Sequence, residues 1–396
     1  MKPRVCFVVD SGTDVRLADG LAEHTILKVL ARRQPSGREI SQPSRHTLDV
    51  ETGPAGHAAF ALFALRRLLA LKRDLDVVVV QGYGPTAAFA SFAGRLTGVP
   101  VFMLVCSPME AYYRCRQGSV TGRPFRRTEY LAIRLFSRLN AWIGRGYIVL
   151  SPYLGSVVRA HGTKNSIDVI PVYGVDATIF RPDAELKAAR RARLALPDDR
   201  PIVFFSSRVA PEKDAGTVLR ALGILAASGR PVRLLHLSGG HRELMDLARQ
   251  TGVEEHVIAG DAVAPFEVLA DHYRASDICV QSSREEGLGF SALEALACGV
   301  PVVATAVGGL NDTIREGDTG WQVPIGDAPA LAAAIVSILD DPAEARRRTA
   351  RGAAQVASAY DRDLVFEALV KRLRNAGSRV ELVEQSVEPS VSPGNP

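Results

Sequence analysis

Two successive series of apolar runs, each run followed by an amphipathic stretch, constrain the fold of this chain of 396 residues. Short continuous apolar runs are typical of buried parallel strands, and helical periodicity between them is typical of crossover helices. In the first half of the chain the predicted strands cover residues 4–9, 76–81, 100–106 and 147–150, and the predicted helices cover residues 17–33, 56–72, 86–96 and 128–143.

The same pattern restarts after residues 182–200, a polar stretch rich in arginine and alanine that indicates the passage to a second domain. Two such series predict an α/β chain of two Rossmann-like, doubly wound domains that face each other across a cleft. Ligands of this architecture bind at the carboxyl ends of the strands. In the second half the predicted strands cover residues 201–206, 232–237, 256–259, 277–281 and 301–304, and the predicted helices cover residues 214–228, 242–250, 266–275 and 291–298.

Size and composition exclude several classes of protein. At roughly 150 residues per domain the length suits two domains, and the hydrophobic share of 47% and charged share of 23% are ordinary for a globular protein. No apolar run reaches the roughly 18 residues of a transmembrane helix, and the N-terminus has the pattern of a first strand instead of a signal peptide. Five cysteines without a Cys-x-x-Cys pair indicate buried thiols of a reduced cytoplasmic protein, not a disulfide framework or a zinc site.

The net charge of +5 is modest, but residues 114–145 are strongly basic. One interpretation is a solvated helix face whose arginines cover apolar neighbours. The other is a surface for an anionic membrane or a phosphate-bearing acceptor. Nucleic acid is not expected as a partner, because no interleaved aromatic residues or known binding module accompany the arginines. Against one acid, Glu129, the segment holds Arg114, Arg116, Arg123, Arg126, Arg127, Arg134, Arg138 and Arg145.

A phosphate site is predicted after the first strand of the second half. Pro211 has the position of a first helical residue, which puts Lys213 in the first helical turn. The helix dipole disfavours a cation there by about 0.3–1 kcal/mol, so the lysine makes sense if an anion binds nearby. Arg208, at the end of the strand, can reach the same point. The alternative is that both cations are solvated loop charges.

A glycine-rich loop supplies the second part of this site. Gly287 and Gly289 allow a tight turn and a close approach of the backbone to a ligand, and the helix that begins near Ser291 offers amides for a phosphate. Glu286 in this loop is expected to face hydroxyl groups, since a carboxylate repels phosphate. Glu294 shares a helix face with Ser291 and either binds a ligand or closes a Ser-x-x-Glu capping box.

The same loop also matches the dinucleotide fingerprint Gly-x-Gly-x-x-Ala, after a strand and before a helix, at residues 287–292. A dehydrogenase needs an acidic residue about 20 positions further on, at the end of the next strand. Residues 301–309 contain no carboxylate. This argues against hydride transfer.

In their order and spacing, these segments resemble the signature of retaining glycosyltransferases of family four, which have the two-domain GT-B fold. The resemblance covers most of the chain and is most specific from about residue 165 to residue 340. Its pieces are residues 169–182, 207–213, 273–277, 286–294, 299–305, 308–309 and 317–320.

The resemblance implies roles for the residues at the matched positions. Glu286 would contact hydroxyl groups of the donor sugar, and Glu294 would bind the ribose of a UDP or GDP sugar. Glu286 would form the catalytic group with Arg208 and Lys213. These two cations and the amides of the segment Gly289, Phe290 and Ser291 would hold the diphosphate, and Ala262 and Val263 would lie against the base.

The resemblance also implies that no metal ion and no bound cofactor is needed, since the nucleotide sugar is a co-substrate. Family members are thought to retain the anomeric configuration by front-face attack, without a covalent enzyme intermediate. The residues agree, because fixed cations and helix amides stand where the departing nucleoside diphosphate develops negative charge. No Asp-x-Asp metal signature stands in a suitable loop.

The match is weaker in the first half, on the acceptor side. Residues 19–24 resemble a degraded form of the family's Gly-Gly loop, in which Gly20 remains and Leu21 replaces the second glycine. Gly20 is therefore expected at the donor. Ser107 stands where family members often carry a histidine, three residues before Glu110, and both residues are candidates for the acceptor side.

We expect an acceptor-binding domain at residues 1–182, a donor-binding domain at residues 183–359, a last helix at residues 360–376 that packs back on the first domain, and a disordered tail at residues 377–396. The predicted activity is transfer of a sugar from a nucleotide-diphosphate sugar to an acceptor hydroxyl in the cytoplasm, at the inner face of a membrane if the arginines bind one. Two alternatives are a phosphorylase on the same fold and a catalytically silent GT-B subunit that binds a sugar nucleotide.

Overall fold

A computed structural model describes residues 2–34, 37, 40, 44–82, 84–119, 123–262 and 265–377. Strands and helices alternate along both halves of the chain. The strands are β1 (Arg4–Val9), β2 (Ile26–Arg32), β3 (Asp49–Gly53), β4 (Val77–Gln81), β5 (Val101–Val105), β6 (Gly146–Val149), β7 (Ser166–Val169), β8 (Ile202–Phe204), β9 (Arg233–Leu237), β10 (Val257–Gly260), β11 (Ile278–Gln281), β12 (Val302–Thr305) and β13 (Trp321–Val323). The α-helices are α1 (Val15–His24), α2 (His57–Ala70), α3 (Pro85–Thr97), α4 (Met109–Arg114), α5 (Arg127–Ile143), α6 (Pro152–Ala160), α7 (Lys187–Arg193), α8 (Ala215–Ala227), α9 (His241–Gln250), α10 (Phe266–Ala275), α11 (Phe290–Ala297), α12 (Leu310–Thr313), α13 (Ala328–Asp340), α14 (Pro342–Ala359) and α15 (Arg362–Gly377).

The strands form two parallel sheets. The first has the order β3-β2-β1-β4-β5-β6-β7 and the second the order β10-β9-β8-β11-β12-β13. In each sheet the strands are added first on one side of the first strand and then on its other side. The strand order therefore switches between β1 and β4 and between β8 and β11, and the carboxyl ends of these strands border the crevices where ligands bind in such sheets. The predicted fold class, two Rossmann-like α/β domains, is confirmed.

The predicted helix at residues 17–33 is wrong in its second half. Helix α1 ends at His24, and Thr25 has extended backbone with φ −133° and ψ 168°. Strand β2 follows and pairs with both β1 and β3. The apolar residues of β2 fit both the helical and the strand periodicity. Because β2 pairs with a strand on each of its two edges, the extended conformation is favoured over the local helical preference.

Helix α15 returns to the first half of the chain and packs against α1 and β4. Its buried face is Val365, Phe366, Leu369, Val370 and Leu373. The domain boundaries that the sequence suggests at residues 182 and 359 remain predictions. The predicted disordered tail lies outside the described residues from residue 378 onward.

Gly20 belongs to this contact between α1 and α15, which corrects the expectation that it lies in a loop; its place at the donor stays a prediction. It is a buried residue within α1, and a Cβ atom there would lie 2.0 Å from Cζ of Phe366. The missing side chain makes room for the aromatic ring. Gly20 is a packing position of the first domain.

Within the described parts of the chain, no helix combines the length and the apolar character needed to cross a membrane.

Candidate active site

A cavity of about 240 Å³ lies in the cleft between the two sheets. Residues from both halves of the chain line it, beyond the carboxyl ends of β5, β8 and β11. Six of the predicted site residues are among them, namely Ser107, Lys213, Glu286, Gly289, Phe290 and Ser291. The residues that the sequence did not single out are Cys106, Tyr112, Leu150, Tyr173, Ser207, Gln281 and Leu288.

Lys213 and Glu286 meet in this cavity. The Lys213 ammonium donates to Oε2 of Glu286 at 2.5 Å, and both side chains are largely buried. Lys213 ends a one-turn 3₁₀ helix, and the next residue, Asp214, is the N-cap of α8. The helical turn that was predicted to begin at Pro211 and to contain Lys213 is therefore present, but it is a 3₁₀ turn that precedes α8. The cation lies just outside the helix terminus and is neutralised by Glu286.

The carboxylate of Glu286 is oriented by further donors. Ser283 Oγ lies 3.3 Å from Oε2, the Gly287 amide donates to Oε1 at 3.1 Å, and the Tyr112 hydroxyl donates to Oε1 at 3.3 Å. Tyr112 comes from α4 in the first half of the chain. Burial, together with the Glu286 charge, raises the pKa of Tyr112 well above its ordinary value. Tyr112 therefore stays a neutral hydrogen-bond donor to Glu286.

The backbone of the loop is shaped by two glycines. Gly289 has a φ of 95° and is the N-cap of α11, and a Cβ atom there would lie 2.5 Å from Cδ2 of Leu310. At Gly287 a Cβ atom would lie 2.7 Å from the carbonyl oxygen of Cys106, across the cleft. The loop can approach the first half of the chain this closely only because both side chains are absent. Helix α11 then begins with its first amides at the cavity.

Glu294 does not close a capping box. The N-cap residue of α11 is Gly289, which makes no side-chain cap. Oε1 of Glu294 instead accepts from Arg16 Nη1 at 2.6 Å, and Oε2 accepts from the Tyr273 hydroxyl at 3.0 Å. Burial raises the pKa of Glu294, and the Arg16 guanidinium opposes this rise. Glu294 is thus a buried carboxylate held between the two halves of the chain.

Arg16 was not predicted from the sequence. It lies in the first turn of α1, pairs with the N-cap residue Asp14 at 2.7 Å, and its guanidinium carbon lies 5.0 Å from the ring centre of Phe266 and 5.5 Å from that of Phe290. The sequence did contain an indication that Arg16 has an anionic partner, because the helix dipole disfavours a cation in a first helical turn. The same argument pointed to Lys213.

Two predicted donor residues lie away from the cavity. The side chain of Arg208 is 68% exposed and its guanidinium lies 3.7 Å from Glu212; it does not line the cavity. Ala262 is exposed in the segment after β10, and Val263 lies outside the described residues. The structure therefore brings Lys213, but not Arg208, to Glu286.

On the acceptor side, the structure separates Ser107 from Glu110. Ser107 lines the cavity in the cleft, whereas Glu110 lines a second cavity of about 280 Å³ between α4, α5 and α6. Glu110 lies 3.1 Å from Nε2 of His161 and 3.7 Å from Nε of Arg134. We call this second cavity the basic pocket; among the described residues its charged lining is Arg114, Arg134, Arg138 and Glu110, together with His161.

The basic pocket borders the cleft. Tyr153 lines the pocket, and its hydroxyl donates to Glu285, the sequence neighbour of Glu286. Helix α4 also carries Tyr112 toward Glu286 and Glu110 toward the pocket. A ligand that occupied both cavities would span a short distance along α4.

Two parallel α/β domains that face each other across a cleft have the architecture of the GT-B fold. Residues 15–173 match the family model Glycosyl transferase 4-like domain, and residues 187–356 match the model Glycosyl transferases group 1. The chain belongs to this family of glycosyltransferases.

Several relatives are similar to the chain in part. A D-inositol 3-phosphate glycosyltransferase of Thermobispora bispora is 39% identical over 180 residues, 43% of this chain and 41% of the relative. A GDP-mannose-dependent alpha-(1-6)-phosphatidylinositol monomannoside mannosyltransferase of Mycolicibacterium smegmatis is 36% identical over 204 residues, 49% of this chain and 52% of the relative. The matched part thus spans about half the length of these curated relatives.

Solved structures share the fold over nearly the whole chain. Sucrose-phosphate synthase from Thermosynechococcus elongatus has a TM-score of 0.75 and 22% identity, covering 94% of this chain and 99% of that chain. Anabaena HepE in complex with UDP-glucose has a TM-score of 0.74 and 16% identity, covering 94% of this chain and 100% of that chain. At these identities the likeness concerns the fold.

Proposed function

We propose that the protein is a retaining glycosyltransferase that moves a sugar from a nucleotide-diphosphate sugar to an acceptor hydroxyl, without a metal ion. The observation that carries the proposal is the Lys213–Glu286 pair beside the first turn of α11, in a cavity between the two domains. Such a cavity offers a cation and amides for phosphate and a carboxylate for hydroxyl groups. We place the reaction in the cytoplasm, where the five free cysteines stay reduced.

The proposed reaction is a front-face substitution. The bond from the anomeric carbon to the phosphate oxygen breaks, and its electron pair stays on the nucleoside diphosphate. Lys213 and the amides of Phe290 and Ser291 stabilise this growing negative charge, which is the contribution that a preorganised site makes to the rate. The acceptor oxygen bonds to the same face of the carbon, and its proton passes to the departing phosphate. Glu286 holds the sugar by its hydroxyl groups.

The donor is proposed to be a UDP or GDP sugar. The structure of the HepE neighbour is a complex with UDP-glucose, and the Mycolicibacterium relative is named as GDP-mannose-dependent. Arg208 belongs to the proposed donor site through rotation of its exposed side chain toward the diphosphate. Glu294 is proposed to bind the ribose.

The acceptor is proposed to carry a phosphate group, bound in the basic pocket. Three arginines face a single carboxylate there, so the charged lining has an excess of positive charge even though burial lowers the pKa of His161. Arginine binds phosphate through paired hydrogen bonds. The Thermobispora relative is named for a phosphate-bearing polyol, D-inositol 3-phosphate. In this proposal the phosphate lies in the basic pocket and the reacting hydroxyl reaches the cleft past Ser107.

An anionic membrane surface is proposed as a further partner. Helices α3 and α5 pack against each other, and α5 combines the arginines of the 114–145 segment with exposed apolar side chains. Trp142 is 76% exposed. A helix with apolar and basic residues of this kind lies in the interface of anionic lipids. The exposed apolar residues are Phe89, Phe92 and Leu96 on α3 and Leu131, Leu135 and Trp142 on α5.

Cosedimentation with vesicles tests the membrane proposal. The protein should bind vesicles that contain phosphatidylglycerol more strongly than vesicles of phosphatidylcholine alone, and added salt should weaken this binding. Leu135→Ser should reduce it, whereas Leu364→Ser, at another exposed leucine, should not. Absence of binding to the anionic vesicles at every salt concentration contradicts the proposal.

Release of nucleoside diphosphate tests the proposed reaction. A panel of UDP, GDP and ADP sugars is first screened by thermal shift, because a bound donor raises the apparent stability. The donor that binds is then incubated with inositol phosphates and with the same polyols without phosphate. We expect release with a phosphorylated acceptor and a product that keeps the anomeric configuration of the donor, read from its NMR coupling.

Other outcomes of the same assay favour the alternatives. Sugar 1-phosphate formed from inorganic phosphate and an oligosaccharide indicates a phosphorylase. Binding of a nucleotide sugar without turnover over the whole acceptor panel indicates a silent subunit.

For the basic pocket, Arg138→Ala should raise KM for the phosphorylated acceptor about tenfold, the effect of one charge-assisted hydrogen bond. An unchanged KM contradicts the phosphate assignment.

A further inference from the structure

The cavity in the cleft stops short of Glu294. Tyr173 and Phe290 line it, but Arg16, Phe266 and Glu294 do not. Its volume of about 240 Å³ is below the roughly 300–1,000 Å³ that is usual for small-molecule sites. The nucleotide half of a donor therefore needs additional room next to the cavity.

Arg16 fills that neighbouring space. Its guanidinium carbon lies 5.7 Å from the ring centre of Tyr173 and 5.5 Å from that of Phe290, the two aromatic residues that also line the cavity. On the other side, the guanidinium carbon lies 5.0 Å from the ring centre of Phe266. Its Nη1 donates a hydrogen bond to Oε1 of Glu294 at 2.6 Å. The side chain thus separates the cavity from the buried carboxylate.

The hydrogen bonds of Arg16 allow it to leave Glu294 without losing every partner. Its Nε and Nη2 donate to the two oxygens of Asp14 at 3.0 and 2.7 Å, and its own amide donates to the same carboxylate. Only Nη1 reaches across the cleft to Glu294. The Glu294 carboxylate, in contrast, would be left with Tyr273 and needs a new donor, because an unpaired buried charge is costly. A vicinal diol offers two such donors.

We propose that Arg16 gates the nucleotide site: its guanidinium and the ribose hydroxyls of a donor bind the same oxygen of Glu294 in turn. This inference rests on the proposed function, in which Glu294 binds the ribose. Arg16 belongs to the first half of the chain and Glu294 to the second, 278 positions apart. Entry of the nucleoside therefore breaks an ion pair between the two halves, and Arg16 withdraws onto Asp14.

Calorimetric titration with nucleosides tests the gate. Uridine, guanosine and adenosine are used because they present the ribose without the diphosphate, and UDP and GDP are titrated in parallel. Arg16→Gln should bind its preferred nucleoside about tenfold more tightly than the wild type, since one charge-assisted hydrogen bond no longer competes. In a Glu294→Gln background the same substitution should give no gain. Unchanged or weaker binding by Arg16→Gln overturns the gate.

The result also separates the gate from the proposed function. If the wild type releases nucleoside diphosphate from a donor but Arg16→Gln binds nucleosides no more tightly, only the gate is wrong. If no variant binds any nucleoside or nucleoside diphosphate, the proposed function fails and the gate fails with it.

A crystal structure of the wild type with UDP or GDP provides a test that needs no variant. We expect the ribose hydroxyls within hydrogen-bond distance of Glu294, and Arg16 still on Asp14 but no longer on Glu294. A ribose bound elsewhere, with the Arg16–Glu294 contact intact, overturns the proposal. Arg16→Lys is a second variant that keeps the charge; because its ammonium still attracts Glu294, the gain in nucleoside affinity should be smaller than for Arg16→Gln.

Discussion

The Lys213 ammonium lies 2.5 Å from Oε2 of Glu286, although 73 positions separate the two residues in the chain. They meet because β8 and β11 are neighbours in the second sheet, and each residue follows one of these strands. A buried ion pair is not strong evidence for stability, because desolvation offsets the attraction. We therefore propose that the pair serves substrate binding. A substrate that brings phosphate to Lys213 and hydroxyl groups to Glu286 would give each of the two side chains a new hydrogen-bond partner.

Replacement of Lys213 by alanine should lower kcat by about 10²–10³-fold, the usual cost of losing one donor to a developing negative charge. The KM for the acceptor should change little, because Lys213 is assigned to the leaving group. Steady-state kinetics with the donor found by the thermal-shift panel measure both values. Lys371→Ala, at an exposed lysine of α15, is the matched control. A turnover within about threefold of wild type for Lys213→Ala contradicts the assignment.

Alanine at Gly289 should disrupt the loop. The residue has a φ of 95°, and the added Cβ would lie 2.5 Å from Leu310. Overpacking of this kind costs about 1–3 kcal/mol, in addition to the backbone strain. Gly252→Ala is a matched control, because its φ is also positive, 68°, but nothing lies within 4 Å of the added atom. Thermal unfolding should show a larger drop in Tm for Gly289→Ala; equal drops would mean that the contact with Leu310 is unimportant.

Alanine at Gly20 should destabilise the fold without a selective effect on donor binding. Its Cβ would overlap the ring of Phe366, and the expected cost is about 1–3 kcal/mol. Because Phe366→Leu shortens the opposing side chain, the double variant should lose less stability than the two single variants added together. Denaturant unfolding and nucleotide titration measure the two effects. A weaker nucleotide affinity of Gly20→Ala at unchanged stability would contradict the packing role and support a position of Gly20 at the donor.

Thiol alkylation should be slow in the native protein at pH 8. Burial raises the pKa of Cys6, Cys106 and Cys298 to about 12, and it also raises that of Cys279. A raised pKa keeps these groups as neutral thiols at pH 8, and the thiolate is the reactive form. Mass spectrometry after iodoacetamide treatment should find these four cysteines modified only in the unfolded chain. Rapid native labelling of Cys106, which lines the cavity, would contradict this.

The sequence predicted the architecture because the two β-α series are continuous and regular. It also predicted the loop with Glu286, Gly289 and the start of α11, since a strand, glycines and a helix follow one another within a few residues. Local patterns failed where the partners of a segment decide its structure. Residues 26–32 continue the helical pattern of α1, yet they form β2 because β1 and β3 lie on both sides.

Several parts of the site that the sequence did not predict come from the first half of the chain. Tyr112, Tyr173 and Arg16 reach the loop only when the two domains face each other, and no local pattern predicts that contact. Arg208 illustrates the reverse case: its position matches a family motif, but the side chain lies on Glu212 and in solvent. Position in a motif does not fix the rotamer of an exposed arginine.

The rate of nucleoside diphosphate release by Glu286→Gln, compared with the wild type, tests the central claim most directly. The substitution keeps the shape of the side chain in the cavity but removes the charge that holds Lys213 and that, in the proposed reaction, faces the sugar. Glu367→Gln, at an exposed position of α15, is the control. We predict acceptor-dependent release of nucleoside diphosphate by the wild type and by the control, and a loss of about 10²-fold or more by Glu286→Gln. Release by Glu286→Gln at the wild-type rate would contradict the claim that this cavity is the site of glycosyl transfer.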